Sequence, residues 1–249
     1  MTPAARLQMA IEILEGLDKT AQPTDRFLKS WFRIRRFAGS KDRREIANRV
    51  FAVQRTRATL AHRMSNETSR ALVIAALLET GEDIPALFTG GGYGPEPLSD
   101  AERAAIAATP ALAPLWVRGE FPQFLESQLA RAFGDRLLDE MVALQSRAPA
   151  DLRVNTLKAK REDVIAALNA DGVLCAATPY APHGIRIGSD ATNLSKSALF
   201  ESGAFEFQDE AAQIASALCG AQPGMRVLDL AAGAGGKSLA FAASMQNHG

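Results

Sequence analysis

The residues best suited to chemistry form a glycine-rich turn, Val227-Leu-Asp-Leu-Ala-Ala-Gly-Ala-Gly-Gly-Lys-Ser238, in a chain of 249 residues. An apolar run, Met225–Leu230, leads into the turn, and a helical pattern follows over Lys237–Met245. This strand, turn and helix order is typical of the start of a nucleotide-binding α/β unit, because the first N–H groups of the helix are free to bind a ligand. The pattern therefore predicts a loop that binds a nucleotide-like molecule.

Three ligand classes compete for this turn. The polyphosphate pattern G-x-x-x-x-G-K-[ST] requires glycine where the chain has Ala231. The dinucleotide pattern G-x-G-x-x-G meets Ser238 in its third glycine position. S-adenosylmethionine (SAM) carries a sulfonium and an amino group, which an acid such as Asp229 at the strand end would complement. The charge of Asp229 therefore favours SAM among the three ligands. The alternative is a turn that binds no ligand and only connects the strand to the helix.

Four motifs lie in order between residues 153 and 238: Arg153–Lys158, Phe207–Ala212, Pro223–Asp229 and Asp229–Ser238. The last resembles D-x-C-A-A-P-G-G-K-T, the signature of the Sun/RsmB family of ribosomal-RNA cytosine-C5 methyltransferases. The first two resemble that family's R-V-N-x-L-K strand and Q-D-x-A-S helix start, and the third resembles its approach to the cofactor loop. The resemblance implies a SAM-dependent enzyme whose substrate is ribosomal RNA.

The resemblance also assigns cofactor-binding residues, namely Asp229, Ala231, Ala232, Gly233, Ala234, Gly235, Gly236 and Lys237. The chain departs from the signature at several places. Ala231 replaces a cysteine, Gly233-Ala234 replaces Ala-Pro, Ser238 replaces threonine, and Ala212 replaces a serine. Because small residues replace small residues at most of these positions, we expect the backbone to keep its close approach to the cofactor.

The resemblance further implies a cysteine nucleophile, since C5 of cytosine reacts only after a thiolate has added to C6. The family's two functional cysteines lie in Thr-Cys and Pro-Cys motifs downstream of the cofactor loop. Cys175 and Cys219 instead follow leucines and precede the loop. Each is predicted to be a small buried apolar residue. The chain is therefore predicted to be an N-terminal fragment that contains no catalytic residue and is inactive alone.

Basic residues are concentrated in one stretch, although the formal net charge is zero. Between Arg26 and Arg70 the chain has 13 Lys and Arg against 3 Asp and Glu. Such asymmetry favours a nucleic-acid partner. The predicted RNA-binding residues are Arg26, Lys29, Arg33 and Arg36 on one helical face, extended by Lys41 and Arg44. A solvated charged face is the alternative, and the neighbouring Phe27, Trp31 and Phe37 are predicted to be core.

The periodicity of apolar residues predicts the elements that position these residues. Helices are expected from Pro3 to Leu17, over Asp25–Phe37, Lys41–Met64 and Ser69–Leu78, after a capping box at Ser99 and Glu102, and over Pro122–Phe133 and Asp135–Ser146. Strands are expected at Leu152–Leu157, Val173–Cys175 and Gly184–Gly188, with helices at Arg161–Ala170 and Gln208–Leu218.

The predicted fold class is α + α/β, in three parts. Residues 1–148 would form a helical RNA-binding domain similar to the NusB antitermination factor. Residues 149–207 would form a small α/β connector module, and residues 208–249 would begin a Rossmann-like class I methyltransferase domain with its first strand and helix. Two rival functions stay open: a stand-alone NusB-type RNA-binding module, and a SAM-dependent methyltransferase with another acceptor.

Composition limits the remaining classes of protein. The hydrophobic fraction of 47% and charged fraction of 22% are those of an ordinary soluble globular protein. No stretch approaches the roughly 18 apolar residues of a membrane span. Two cysteines and three histidines are scattered along the chain, which predicts no metal site and fits a reduced, cytoplasmic setting.

Overall fold

The computed structural model describes residues 1–188 and 194–249, in two compact units, Met1–Ser146 and Arg147–Gly249. The first unit consists of helices, and the second contains a small antiparallel sheet with helices. Residues 189–193, part of the predicted connector, lie outside the described residues. The predicted mixture of a helical part and a part with both helices and strands is confirmed at this level.

The helices of the first unit are α1 Pro3–Leu17, α2 Thr24–Ile34, α3 Ser40–Arg55, α4 Arg57–Met64, α5 Ser69–Thr80, α6 Ile84–Leu87, α7 Asp100–Ala107, α8 Leu115–Arg118, α9 Glu126–Phe133 and α10 Leu137–Gln145, with short 3-10 turns at Gln123–Leu125 and Gly134–Arg136. Side-chain caps mark the starts of α1, α5, α6 and α7. The Thr2 hydroxyl accepts from the Ala5 N–H at 3.2 Å, and Ser99 and Glu102 form the predicted capping box.

Helix α5 lies at the centre of the first unit, because its residues are apolar on almost every side. Leu72, Val73, Ile74 and Leu77 are all fully buried. Helices α1, α3 and α4 pack around it. Helix α2 has a narrower apolar stripe, formed by Leu28, Trp31 and Phe32, so it lies on the surface and keeps its other face in solvent.

The predicted helix over Asp25–Phe37 was too long at its C-terminal end. Arg35 leaves the helical conformation with φ −109° and ψ 64°, and α2 ends at Ile34. Arg36 therefore lies in a turn and not on the helical face that was predicted for it. The prediction that Phe37 belongs to the core was also wrong, since Phe37 is 69% exposed.

The predicted long helix over Lys41–Met64 is broken at Thr56, which has φ −124° and ψ 31° and separates α3 from α4. The carboxylate of Glu120 stabilises the break. It accepts from the N–H of Ala58 at 2.9 Å and of Thr59 at 2.7 Å, so a distant acid caps the new helix start. Periodicity in the sequence could not show this interaction.

The second unit contains β1 Ala150–Val154, α11 Arg161–Ala170, β2 Cys175–Ala177, β3 Gly184–Ile187, α12 Ala198–Glu201, β4 Phe205–Phe207, α13 Glu210–Leu218 and α14 Gly236–Ser244. The strand order is β2-β3-β1-β4, and every neighbouring pair is antiparallel. With the chain order β-α-β-β-α-β, this is a ferredoxin-like arrangement. Leu152 is paired with Ile185 on one side and Phe207 on the other, in the middle of the sheet.

The predicted strand over Met225–Leu230 does not form. The segment has no regular secondary structure, and Leu228 and Leu230 are 82% and 91% exposed. A strand requires a partner for its N–H and C=O groups, and no strand in residues 1–188 or 194–249 pairs with this segment. The predicted helix after the glycine turn is present as α14, so only the helix of the expected first strand-helix unit is formed.

An ion network with two buried carboxylates joins β1, β3 and α13. Both oxygens of Asp151 accept from Arg186 at 2.9 Å, and Arg186 also donates to Glu210 at 3.2 Å. The Arg186 hydrogen bonds hold the pKa of Asp151 below its usual value. Burial acts to raise the pKa of Glu210, but the N–H groups of Tyr180 and Ala181, together with Arg186, lower it overall.

These lowered pKa values make the second unit sensitive to acid. A carboxylate whose folded pKa is lowered stabilises the fold above its unfolded pKa, and the stabilisation is lost as pH falls through the folded value. We therefore expect the urea midpoint of second-unit amide resonances to fall as pH drops below about 4, the ordinary range of carboxyl titration.

The variant Asp151→Asn should flatten this dependence, because it removes one titrating partner of Arg186. Asp163→Asn changes an exposed acid of α11 and serves as the matched control. The same pH profile in both variants would contradict the assignment of the acid sensitivity to the Asp151 network.

Candidate cofactor loop and nucleic-acid surface

The glycine turn leads from Asp229 into the first turn of α14. Gly233 and Gly235 adopt φ values of 57° and 84°, in the left-handed region that glycine tolerates best. Gly235 is also the N-cap of α14. The Ser238 hydroxyl donates to the Asp229 carboxylate at 2.8 Å, which fixes this carboxylate to the helix start.

A cavity of about 400 Å³ opens beside the turn. The predicted cofactor residues that line it are Asp229, Ala231, Ala232, Gly236 and Lys237. The other three, Gly233, Ala234 and Gly235, shape the turn and do not line the cavity. The opposite wall comes from the end of β4 and the start of α13, including Gln208, Asp209 and Ala212.

Two motifs that are far apart in the sequence are joined through Gln208, which lines this cavity. The Nε of Arg153, in β1, donates to the Oε1 of Gln208 at 2.7 Å, and both side chains are buried. The Nε2 of Gln208 lies 3.8 Å from the place where a Cβ on Gly236 would stand. Gln208 therefore lies between the sheet and the first turn of α14. The order of motifs had suggested neither this contact nor strand β4.

Asp209 sets the direction of α13 on the opposite wall. Its carboxylate accepts from the N–H of Ala212 at 2.8 Å, as an N-cap does. Beside it, the buried Gln213 donates to the carbonyls of Leu152 and Gln208 at 3.1 and 2.8 Å. The start of α13 is thus attached to β1, and the cavity has one rigid wall.

The predicted RNA-binding residues form an exposed basic surface on the first unit. Within the described part of the chain, none of them forms a side-chain hydrogen bond or ion pair: Arg26, Lys29, Arg33, Arg36, Lys41 and Arg44. Most neighbouring arginines are held internally. Arg49 pairs with Glu82 and Arg70 with Glu102, while Arg63 donates to the carbonyls of Ala105 and Ile106. These six cations are therefore available to a ligand.

Helix α2 holds this surface in place through its buried aromatic residues. Trp31 and Phe32 are 8% and 7% exposed, and their rings meet edge to face with centroids 5.2 Å apart. The Arg35 guanidinium lies 3.8 Å from the centroid of the Trp31 ring. Trp31 is thus core, as predicted, and Arg35 is a basic residue that the sequence did not single out.

Neither cysteine has the environment of an activated thiol. The Sγ of Cys175 lies 3.8 Å from the Ile165 carbonyl, and burial raises the pKa of the Cys175 thiol. The Sγ of Cys219 lies 3.3 Å from the Ala215 carbonyl one turn earlier in the chain. Cys175 is half-buried and Cys219 is exposed, so the prediction that both are buried was wrong.

Residues 1–188 and 194–249 hold no group of three or more His, Cys, Asp or Glu side chains that could bind a metal ion. In the same part of the chain, no helix combines the length and the apolar character that crossing a membrane demands.

A family match agrees with the ferredoxin-like arrangement of the strands. The family described as "Methyltr_RsmF/B-like, ferredoxin-like domain" matches residues 121–192. The "Probable ribosomal RNA small subunit methyltransferase B" of Synechocystis is 28% identical over 130 residues, which are 52% of this chain and 29% of that protein. The "Ribosomal RNA small subunit methyltransferase F" of Serratia proteamaculans is 32% identical over 133 residues, 51% of this chain and 28% of that protein.

Two solved structures have a similar fold. The crystal structure of PH0851 superposes with a TM-score of 0.69 at 21% identity, over 100% of this chain and 62% of that one. A methyltransferase homolog protein from Pyrococcus horikoshii gives a TM-score of 0.50 at 25% identity, over 55% of this chain and 47% of that one. The fold of the chain is thus similar to that of a methyltransferase homologue.

Its relatives are the ribosomal RNA small subunit methyltransferases B and F, which confirms the resemblance to the Sun/RsmB family. The matched region spans less than a third of these curated relatives, at 29%, 27% and 28% of their lengths.

The unpaired segment before the turn should be visible in solution. The N–H groups of residues 227–230 donate no hydrogen bond to any described residue, whereas those of β1 are held by β3 and β4. We expect amide hydrogen exchange over Val227–Leu230 to be fast, and exchange over Leu152–Val154 to be slowed by several orders of magnitude. Strong protection of both segments would show that Val227–Leu230 has found a strand partner.

Proposed function

We propose that the chain carries the RNA-binding surface and the cofactor loop of a SAM-dependent RNA methyltransferase. The observation that carries this proposal is the turn from Asp229 to Lys237, whose carboxylate is fixed at a helix N-terminus beside a small-molecule-sized cavity. The relatives' names, which refer to ribosomal RNA small subunit methylation, support RNA as the substrate. The proposal includes ribosomal RNA as the substrate and a reduced, cytoplasmic setting for the protein.

The residues at the turn fit SAM. A Cβ on Gly236, which lines the cavity, would meet only the Nε2 of Gln208, at 3.8 Å, so the backbone there is open to a ligand. The cavity of about 400 Å³ falls in the range of small-molecule sites, about 300–1,000 Å³. The Asp229 carboxylate complements the positive charges of SAM, and the first N–H groups of α14 are free to donate.

In this proposal the residues of the chain bind and orient the reactants. SAM, when bound, supplies the methyl group. Asp229 and the start of α14 hold the cofactor, Gln208 and Asp209 form the facing wall, and the basic surface holds RNA phosphates. The target, C5 of cytosine activated by a cysteine adduct at C6, is carried over from the resemblance. Neither Cys175 nor Cys219 is placed for that attack, because neither lines the cavity beside Asp229.

The finer division of the chain is part of the same proposal. Residues 1–148 would be the NusB-like RNA-binding domain, residues 149–207 the connector, and residues 208–249 the start of the Rossmann-like methyltransferase domain. The glycine turn and α14 support the last assignment, since they have the form of a nucleotide-binding helix start.

A stand-alone RNA-binding module is the second candidate. The exposed and unpaired segment Met225–Leu230 favours it, because a cofactor loop in a working methyltransferase needs a fixed strand before it. The two candidates share the RNA-binding surface and differ in whether the chain binds SAM.

The proposed RNA surface can be tested by charge reversal. We expect Arg33→Glu combined with Arg36→Glu to lower the affinity for ribosomal-RNA fragments by about tenfold or more at low salt, and to reduce the dependence on salt, because phosphate contacts are lost. Filter binding over a salt series measures both effects.

The control combines Arg103→Glu with Arg131→Glu, which changes the net charge equally at two exposed arginines outside the predicted set. Equal losses in both double variants would mean that only net charge matters, and the assigned surface would be wrong.

The cofactor loop can be tested by calorimetry and by labelled-methyl transfer. We expect SAM to bind in the weak regime of about 1 mM, since the segment before Asp229 must be ordered on binding. Asp229→Asn should abolish this binding, while Asp163→Asn should leave it unchanged. No methyl transfer to RNA is expected from the 249-residue chain. Transfer that disappears in Cys175→Ser or Cys219→Ser would show that one of these thiols is the nucleophile after all.

A further inference from the structure

The first unit contains a second cavity, of about 750 Å³, which has no role in the proposed function. It lies between the start of α1, the turn after α2 and the glycine-rich loop of residues 89–97. Its walls include Gln8 and Glu12 from α1, Arg35 and Phe37 from the turn, and Tyr93 and Glu96 from the loop. We call it the aromatic cleft, because two of these residues are exposed aromatic rings.

The exposure of these two rings is not explained by folding. Phe37 is 69% exposed and Tyr93 is 91% exposed, although both are large and apolar. Tyr93 also has φ 69°, in the left-handed region, where glycine would be more stable. The flanking loop is held by hydrogen bonds of 2.9 Å from Gly90 to Pro95 and from Gly94 to Gly91. A fixed loop thus presents a strained tyrosine to solvent, an arrangement that is common at binding sites.

The cleft offers both donors and acceptors: Arg35 is a donor, and Glu12 and Glu96 are acceptors. Glu12 accepts only one long hydrogen bond, 3.3 Å from Gln8, among the residues that the structure describes. No described residue donates to the carboxylate of Glu96 or pairs with it. Carboxylates of this kind accept from the amino groups of nucleobases, such as N4 of cytosine. An apolar peptide would leave both carboxylates without a donor.

The charge around the cleft matches a nucleic acid. Arg33, Arg35 and Arg36 directly precede Phe37, and Arg33 and Arg36 belong to the exposed basic surface. Backbone phosphates held by these arginines would bring unpaired bases to the rings. Aromatic side chains that interleave with cations are how proteins bind single-stranded RNA.

We propose that the aromatic cleft binds an unpaired nucleobase of single-stranded RNA, stacked on Phe37 and Tyr93, with Glu12 and Glu96 accepting from its amino group. This inference rests on the proposed RNA binding of the first unit and adds a site for single-stranded RNA to it. The class of ligand is an RNA segment whose base carries an exocyclic amino group.

Substitution of Tyr93 by glycine separates binding from folding. Tyr93→Gly removes the ring and relieves the left-handed strain, so we expect the melting temperature to stay equal or rise. Affinity for a fluorescein-labelled single-stranded oligo(A) of about eight nucleotides should fall about tenfold, as loss of one stacking partner does. Phe37→Ala should give a similar loss of affinity. Phe124→Ala, which removes a 75% exposed ring outside the cleft, should leave affinity unchanged.

Base preference, measured as the ratio of affinities for two oligonucleotides, provides a second readout. A change in the net charge of the protein alters both affinities equally and leaves this ratio unchanged. The chain should prefer oligo(A) and oligo(C) to oligo(U), and the combined Glu12→Gln and Glu96→Gln variant should reduce this preference. A preference that is the same in this variant overturns the role of the two carboxylates.

Two results would overturn the proposal as a whole. If Tyr93→Gly and Phe37→Ala keep full RNA affinity while charge reversal at Arg33 and Arg36 abolishes it, RNA binding stands and the stacking site is wrong. If the chain dimerises in sedimentation experiments and Tyr93→Gly abolishes the dimer without changing RNA affinity, the cleft is an interface with a second copy. If the unaltered chain itself fails to bind RNA, the proposed RNA-binding function is rejected as well.

Discussion

The hydrogen bond between Arg153 and Gln208 holds the second unit in the form that its candidate site needs. Arg153 lies in β1, and Gln208 lies between β4 and α13. Burial lowers the pKa of the Arg153 guanidinium, so the folded protein bears a cost for placing a cation there. The hydrogen bond to Gln208 offsets part of this cost and joins the sheet to the wall of the candidate cofactor cavity. Asp151, Arg186 and Glu210 attach the same helix to the same strand a few residues away.

The first unit uses apolar packing for a comparable purpose. Burial of α5 on almost every side gathers α1, α3 and α4 around it, which leaves α2 attached to the surface by one aromatic stripe. That arrangement frees the opposite face of α2 for cations. Arg49 and Arg70 form ion pairs and are therefore not available to a ligand. Fewer cations are available than the composition of residues 26–70 suggests.

Features that depend on interactions between sequence neighbours could be predicted from the sequence, and features that depend on distant residues could not. Helices with local caps, such as α1 after Thr2 and α7 after Ser99, were found because the cap and the helix are neighbours in the sequence. The glycine turn was found for the same reason. Strand β4 was missed and the strand at Met225–Leu230 was wrongly expected, because a strand exists only where a distant partner completes its hydrogen bonds. The exposure of Phe37 was missed because the predicted helix over Asp25–Phe37 ends at Ile34, so Phe37 does not share a helical face with Trp31.

The cap that Glu120 places on α4 has a consequence for the order of folding. The two bonded residues are 62 positions apart, so the boundary between α3 and α4 is specified by a long-range contact and not by the local sequence. Until that contact forms, the stretch over Lys41–Met64 is free to extend through Thr56 as one continuous helix, which is what its local pattern favours. Closing such a loop is entropically costly and comes late. The break between α3 and α4 is therefore a product of tertiary structure, and we expect it to be fixed late in the folding of this region.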